Sequence, residues 1–151
     1  MRLGRARSRR TRRVSRLARA VDRAQLTEWL EGYERAWAAP GTGALSLLFT
    51  EDATYSPAPY EDPHRGLAAI GRMWEAERLG PGEEFEMSSE IVAVDGDTGV
   101  IRIDVRYGAP KDKEYRDLWI IRLNGDGLCS HFEEWPFWPP DQPGAPAAGA
   151  D

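Results

Sequence analysis

The chain has 151 residues, of which 41% are hydrophobic and 30% are charged, a composition typical of one globular domain. It contains no apolar run long enough to cross a membrane and only one cysteine, which excludes a membrane-spanning protein and a disulfide-stapled scaffold. Two histidines and one cysteine are too few for a closed zinc site built from Cys and His. A metal site built from carboxylates stays open, but the sequence has no EF-hand loop and no His-x-x-x-His spacing, and we expect no bound metal.

The charges divide sharply near the start of the chain. Residues 1–23 hold ten arginines and one acid, a net charge of +9, whereas residues 24–151 hold ten basic and 24 acidic side chains, a net charge of −14. Residues 1–21 carry no aromatic side chain, so they cannot bury enough surface to offset chain entropy, and we expect a disordered arm.

Four interpretations of this arm remain open. It could bind nucleic acid through phosphate contacts, fold onto the acidic domain, act as a twin-arginine export signal, or have no specific role. The last is favoured, and the apolar segment that an export signal needs is missing. We therefore expect a cytoplasmic protein with no membrane contact.

The aromatic residues delimit the folded domain. All fifteen lie between Asp22 and Trp138, whereas residues 139–151 contain four prolines, two glycines and no large apolar side chain. We therefore expect one domain over residues 22–138, followed by a solvated, disordered tail over residues 139–151.

Three helices are predicted in the first half of this domain. The first has an apolar face at helical spacing, formed by Leu26, Trp29, Leu30, Tyr33 and Trp37. Asp22 and Gln25 precede that face in a capping-box pattern. A short second helix is expected over residues 44–49 and a third over residues 66–78, with a strand at residues 53–56 and a proline-rich loop between them.

From residue 83 onward the apolar period changes to two, which is typical of strands. Alternating segments are separated by the turn sequences Asp95-Gly96 and Asn124-Gly125-Asp126-Gly127. Helices followed by a run of antiparallel strands predict an α+β fold. Because no glycine-rich phosphate loop is present, we expect no cofactor.

Four segments of this domain resemble a known family. They are Tyr33-Glu34-Arg35-Ala36-Trp37, residues 47–55 (LLFTEDATY), residues 62–66 (DPHRG) and residues 122–127 (RLNGDG). In these the chain resembles the nuclear transport factor 2-like proteins, within them the SnoaL-like and ketosteroid-isomerase-like branch. The resemblance implies a cone, in which three N-terminal helices pack in a curved, mostly antiparallel sheet around an internal pocket.

The resemblance also implies which strand face meets the pocket. The residues expected on the pocket side are Ile103, Val105, Tyr107, Asp117 and Trp119. The convex face commonly pairs two subunits in this family, so we expect a homodimer through Arg102, Asp104, Arg106 and Trp135.

The catalytic positions of ketosteroid isomerases are only partly kept. Tyr33 occupies the position of their oxyanion-binding tyrosine. The position of their base is Pro57, and that of their second oxyanion donor is Trp119, so neither can move a proton. Isomerisation of ketosteroids by that mechanism is therefore not expected.

Four residues are candidates for acid–base chemistry. Asp117 interrupts an otherwise buried strand, where a carboxylate needs a donor or a polar cavity. His64 lies in the loop before the third helix and could carry protons at the pocket mouth. Glu133 and Glu134 face opposite sides of the last strand; the resemblance favours Glu134 in the pocket, and a bulge near Pro136 would invert this. Tyr33 completes the set as a donor.

Aromatic residues are the candidate ligand contacts. We assign this role to Trp29, Tyr55, Tyr60, Trp74, Trp119 and Phe132, although core packing is the better explanation for most of the aromatics. The sequence thus predicts a protein with a small-molecule pocket, and leaves open whether it catalyses an acid–base isomerisation, cyclisation or hydrolysis. The alternatives are a non-catalytic ligand-binding or scaffold dimer and a nucleic-acid binder acting through the arginine arm.

Overall fold

The computed structural model describes residues 20–78 and 83–142 of the chain. Within these residues two α-helices pack against a curved, open sheet of six strands, which confirms the α+β class. The arm and tail calls fall mostly on residues 1–19 and 143–151, which lie outside the described part.

The first helix, α1 (Arg23–Ala38), begins as the sequence predicts. The Asp22 side chain accepts from the backbone N–H of Gln25 at 2.8 Å, and the Gln25 side chain accepts from the N–H of Asp22 at 2.9 Å. This reciprocal pair satisfies two N–H groups that a helix start otherwise leaves free. The other helix, α2, spans Leu67–Glu77, and neither described helix is long and apolar enough to span a membrane.

The short second helix is not an α-helix, and three α-helices were therefore one too many for the described residues. A single 3₁₀ turn covers Gly43–Leu47. The next carbonyl, that of Leu48, accepts from the Trp29 indole N–H at 2.9 Å and from the Cys129 N–H at 2.7 Å. Because tertiary partners use this carbonyl, it is not available to a helix, and so short a helix has little stability of its own.

The six strands come from two separate stretches of the chain. The first two lie between the helices: β1 (Phe49–Ser56), longer than the strand predicted at residues 53–56, and β2 (His64–Arg65), inside the predicted loop. The other four follow α2 in sequence: β3 (Phe85–Asp95), β4 (Thr98–Tyr107), β5 (Lys113–Leu123) and β6 (Cys129–Phe137).

The strand order across the sheet is β2-β1-β6-β5-β4-β3. Neighbours are antiparallel except β1 and β6, which run parallel, so the sheet is mixed and mostly antiparallel. The parallel pair brings β1, from the first half of the chain, beside the last strand. Residues of both ends of the domain therefore meet in the middle of the sheet.

A register shift in β6 decides which of its residues point inward. Cys129 pairs with Leu123, but His131 pairs with Arg122, so Ser130 is an extra residue and the strand bulges. Cys129 and Phe132 are both fully buried although they are three positions apart. The irregularity that we placed near Pro136 lies here instead, six residues earlier.

One core joins the helices to the inner face of the sheet. The packing is close where α1 crosses β4, since a Cβ on Gly99 would lie 2.7 Å from a methyl of Leu26. Val21, which we had assigned to the arm, is 5% exposed and donates its N–H to the Gly96 carbonyl at 2.9 Å. The folded domain therefore includes Val21.

Candidate active site

A cavity of about 390 Å³ opens at one end of the sheet's inner face. Its walls come from both helices, from strands β1 and β3 to β6, from the loop after β1 and from the segment after β6. The five residues that the resemblance placed on the pocket side, in β4 and β5, all line it. A cavity of this size matches the lower range of small-molecule sites.

Strand β5 supplies a ladder of four polar or aromatic side chains to this cavity. They lie at alternate positions on the inner face: Lys113, Tyr115, Asp117 and Trp119. Asp117 is 8% exposed and Trp119 is 3% exposed, whereas the first two are half-buried. Within seven residues the strand thus runs from a half-buried end that carries the charge of Lys113 to the buried side chains of Asp117 and Trp119.

Asp117 has one carboxyl oxygen that the protein does not satisfy. Its Oδ2 accepts from the Trp119 indole N–H at 3.4 Å, while its Oδ1 is buried and has no partner among the described residues. Burial raises the pKa of Asp117 from 3.8 to about 7, against the Trp119 hydrogen bond, which lowers it. A carboxyl with a pKa near neutrality can serve as acid or base at physiological pH.

Glu134 lies diagonally across from Asp117 on the same face. In the β5–β6 register Trp119 pairs with Glu134 and Asp117 with Pro136, so the two carboxyl groups are close neighbours on adjacent strands. Removal from water and the charge of Asp117 raise the pKa of Glu134 well above its ordinary value. Two interacting carboxyls of this kind titrate as a pair, and the negative charge of one favours a proton on the other.

Two tyrosines extend Glu134 into a hydrogen-bonded chain. The Tyr55 hydroxyl donates to Glu134 Oε1 at 2.7 Å, and the Tyr33 and Tyr55 hydroxyl oxygens are 3.1 Å apart. Because Tyr55 gives its only proton to Glu134, Tyr33 donates to Tyr55 when Glu134 is ionised. Burial and the charge of Glu134 raise the pKa of both phenols, so they remain protonated donors.

Glu133, the neighbour of Glu134, faces the other side of the sheet. Its carboxylate lies 3.2 Å from His131 Nε2 and accepts from the Trp135 indole N–H at 2.6 Å. The bulge at Ser130 sets this alternation, because without it the inward positions of β6 would include Glu133 and exclude Glu134.

The structure brings five of the ten candidate residues into the cavity wall: Tyr33, Tyr55, Asp117, Trp119 and Glu134. Three others are packed in the core away from it. Trp29, Trp74 and Phe132 are at most 4% exposed, contact other rings and are absent from the wall of the cavity described above.

The remaining two candidates lie outside the cavity. Tyr60 follows a proline-rich turn and is fully exposed. His64 lies on the short edge strand β2 opposite Tyr55, and its side chain is not part of the cavity wall. The structure therefore does not bring His64 to the carboxyl pair, because β2 adds to the sheet edge beyond β1.

Sequence reasoning missed several residues of the cavity wall. Tyr115 and Lys113 could have been found by following the alternate positions back from Asp117. Lys111 had no such signal, since it lies in a turn; its Nζ is 2.8 Å from Glu83 Oε1 and 3.9 Å from the centre of the Tyr107 ring. Trp138 was assigned to the end of the domain but not to the site.

No described group of residues has the composition of a metal site. Burial raises the pKa of the Cys129 thiol to about 12, which keeps it protonated and unreactive near neutrality. The groups placed for acid–base chemistry are the carboxyl groups of Asp117 and Glu134 and the hydroxyls of Tyr33 and Tyr55, beside aromatic rings of the cavity wall.

Fold and sequence now identify the family. A family model described as a SnoaL-like domain matches residues 27–131. The chain belongs to the SnoaL-like family. The resemblance to nuclear transport factor 2-like proteins is thereby confirmed.

Solved structures share the fold of this SnoaL-like domain. A putative ketosteroid isomerase from Kribbella flavida DSM 17836 is 19% identical, with a TM-score of 0.57 and 82% of each chain covered. A steroid delta-isomerase from Pseudomonas aeruginosa is 20% identical, with a TM-score of 0.56, over 79% of this chain and 84% of that one.

A third similar structure is an LEH-like epoxide hydrolase from M. tuberculosis, 10% identical, with a TM-score of 0.57, over 76% of this chain and 84% of that one. At these identities the likeness establishes the fold alone. No curated protein matches the chain by sequence.

Proposed function

We propose that this SnoaL-like domain is a cofactor-free acid–base enzyme that acts on a small organic molecule held in the cavity. The observation that carries the proposal is the pair Asp117 and Glu134, two carboxyl groups on one face of adjacent buried strands. Carboxyl pairs whose surroundings shift their pKa values are a recurring feature of active sites.

In this proposal Asp117 is the base. Its Oδ1 has no hydrogen bond within the described residues, so it can accept a proton from a substrate carbon. Glu134 in its protonated form, with Oε1 held by the Tyr55 hydroxyl, donates its own O–H to the oxygen on which negative charge then develops. The C–H bond breaks, its electron pair moves into an enolate, and the proton on Asp117 returns to a different carbon, which gives an isomer.

The same groups support a second reaction, the hydrolysis or cyclisation of an epoxide. A protonated Glu134 would donate to the epoxide oxygen while Asp117 takes a proton from water or from a hydroxyl of the substrate. The new C–O bond then forms as the ring C–O bond breaks. Epoxide opening needs one protonated and one ionised group at the same pH, and two interacting carboxyl groups can provide both.

A chromogenic proton-transfer probe tests the base. In 5-nitrobenzisoxazole, removal of the C3 proton breaks the N–O bond and releases a coloured phenolate. We expect the protein to accelerate this reaction above acetate at the same pH, and Asp117→Asn to lower the rate about 10²–10⁴-fold, the usual contribution of a general base. Styrene oxide, followed by diol formation, tests the epoxide reaction with the same variants.

Matched controls isolate the inward carboxyl groups. Glu134→Gln should lower both activities, whereas Glu133→Gln, one residue away on the outer face, should leave them unchanged. Equal activity in wild type and Asp117→Asn would refute the assignment of the base. Absence of both activities would favour a non-catalytic ligand-binding or scaffold protein.

Assembly and location belong to the same proposal. We propose a cytoplasmic homodimer that pairs through the outer face of the sheet. The nucleic-acid alternative rests on residues 1–21 alone, and it predicts salt-sensitive DNA or RNA binding that is lost when those residues are removed.

A further inference from the structure

The cavity wall holds more acidic than basic side chains. Four carboxyl groups line it, those of Glu61, Glu77, Asp117 and Glu134, against two lysines. One of the lysines, Lys111, forms an ion pair with Glu83 at 2.8 Å, and its side chain is 20% exposed. Because burial disfavours the ionised forms of Asp117 and Glu134, a cation placed in the cavity would stabilise them, whereas an anion would not.

A buried acceptor within this wall lacks a donor. Asp117 is 8% exposed, it lines the cavity, and its Oδ1 receives no hydrogen bond in the part of the chain that the structure describes. A buried polar group without a partner keeps the cost of its removal from water. A ligand that brings an N–H or O–H to this oxygen would recover that cost.

Much of the remaining wall is aromatic, which favours a positively charged donor over a neutral one. Rings of Tyr33, Trp37, Tyr107, Tyr115 and Trp119 line the cavity beside the carboxyl groups. Ring faces attract cations, most strongly where water is excluded. One such contact already exists at the cavity, where Lys111 Nζ lies 3.9 Å from the centre of the Tyr107 ring.

We infer that the molecule bound in this cavity carries a protonated amine, which sits between Asp117 and Glu134 with an apolar body against the rings. The inference deepens the proposed function, because it rests on the same cavity and names the class of substrate; an amine that holds Asp117 Oδ1 leaves Oδ2, with its 3.4 Å bond from Trp119, to act as the base. A carboxylate or phosphate ligand would meet four acids, and a neutral alcohol would satisfy Oδ1 without the attraction between a cation and an ionised carboxyl group.

Three ligands of equal size separate these possibilities. They are 2-naphthylmethylamine, 2-naphthylmethanol and 2-naphthoate, and the naphthalene body fits a cavity of about 390 Å³. We would measure their binding to the full chain by isothermal titration calorimetry at pH 8 and moderate salt. The amine should bind at least tenfold more tightly than the alcohol, and the naphthoate should bind most weakly.

Variants show whether the preference comes from the carboxyl pair. Asp117→Asn and Glu134→Gln should each reduce the advantage of the amine over the alcohol at least fivefold. Glu133→Gln and Asp95→Asn, which remove exposed or outward charges, should leave it intact. A melting curve of each variant verifies that it folds, and either inward variant alone suffices for the test.

Three results would overturn the inference: equal binding of amine and alcohol, no binding of the amine, or an advantage that survives both inward substitutions. These results leave the proposed reaction intact, because the 5-nitrobenzisoxazole assay measures proton abstraction from a neutral molecule. Conversely, tight amine binding without turnover would refute the enzyme proposal and support this one.

Discussion

The interior of the cone has two halves that are built from the same strands. In one half Phe132 of β6 is fully buried and contacts the rings of Tyr33, Tyr55 and Trp119 at centroid distances of 5.7, 4.3 and 4.8 Å. Two residues further along β6, Glu134 lies in the cavity. The packed half stabilises the fold. The open half holds buried carboxyl groups, whose removal from water lowers stability, a relation that is common between functional sites and their scaffolds.

The largest effect is expected in the packed half. Phe132→Ala should lower the free energy of unfolding by about 3–5 kcal/mol, because it removes a ring from a closely packed cluster and leaves a cavity. Phe137→Ala, on the same strand but 58% exposed, should change it by less than about 1 kcal/mol. Urea denaturation of both variants measures this, and similar losses would mean that the two positions are not distinguished by burial.

In the open half, a substitution should raise the free energy of unfolding rather than lower it, and the gain should depend on pH. Because the pKa of Asp117 rises from 3.8 to about 7, the native protein holds a proton that the unfolded chain releases, and wild-type stability falls as pH rises through that window. Asp117→Asn removes this dependence, so the variant should gain stability relative to wild type between pH 4 and pH 8, by at most about 4 kcal/mol.

Urea denaturation at several pH values measures this difference. Asp95→Asn, an exposed control in the β3–β4 turn, should follow wild type at every pH. If Asp117→Asn is instead less stable than wild type at pH 8, the carboxylate supports the fold, and its assignment as a catalytic base loses its energetic argument.

A smaller effect is expected where the arm joins the domain. Deleting residues 1–19 should leave the melting temperature nearly unchanged, since exposed ion pairs contribute only about 0–1 kcal/mol. Deleting residues 1–21 also removes Val21, which is 5% exposed, and should cost about 1.5–3 kcal/mol. Differential scanning calorimetry of the two truncations compares them, and a large loss in the shorter truncation would show that the arm docks on the domain.

The outer face of the sheet should matter least for the stability of the subunit. The arginines that we expected to pair across a dimer have partners in their own chain: Arg102 with Glu90 at 2.6 Å and Arg106 with Glu114 at 3.0 Å. Asp104 likewise lies 3.4 Å from Arg116. The exposed apolar side chains Leu118, Trp135 and Phe137 are therefore the better anchors for a partner.

Trp135→Ala should change the stability of the isolated subunit by less than about 1 kcal/mol, since this side chain is 40% exposed. It should nevertheless convert a dimer into a monomer. Light scattering after size exclusion at micromolar concentration decides this, and a wild-type protein that already runs as a monomer would refute the proposed dimer.

The sequence by itself determined the local elements and their faces. The apolar spacing from Leu26 to Trp37 marked α1 and the capping pair marked its start. Alternation in β4 and β5 placed alternate residues on one face of each strand, and the family resemblance assigned the face of Ile103, Asp117 and Trp119 to the pocket. These patterns are local, because a side chain's face depends on its spacing to near neighbours along the chain. The family resemblance rested on equally local segments.

Only the tertiary structure decided how deep each inward residue lies and what stands opposite it. The parallel pairing of β1 with β6 brings Tyr55 within hydrogen-bonding distance of Glu134, 79 residues away in sequence. The extra residue at Ser130 turns Glu134 inward, and packing around Phe132 separates the core aromatics from the cavity wall. Spacing along one strand contains no information about any of these, because each depends on a contact between residues that are distant in the sequence.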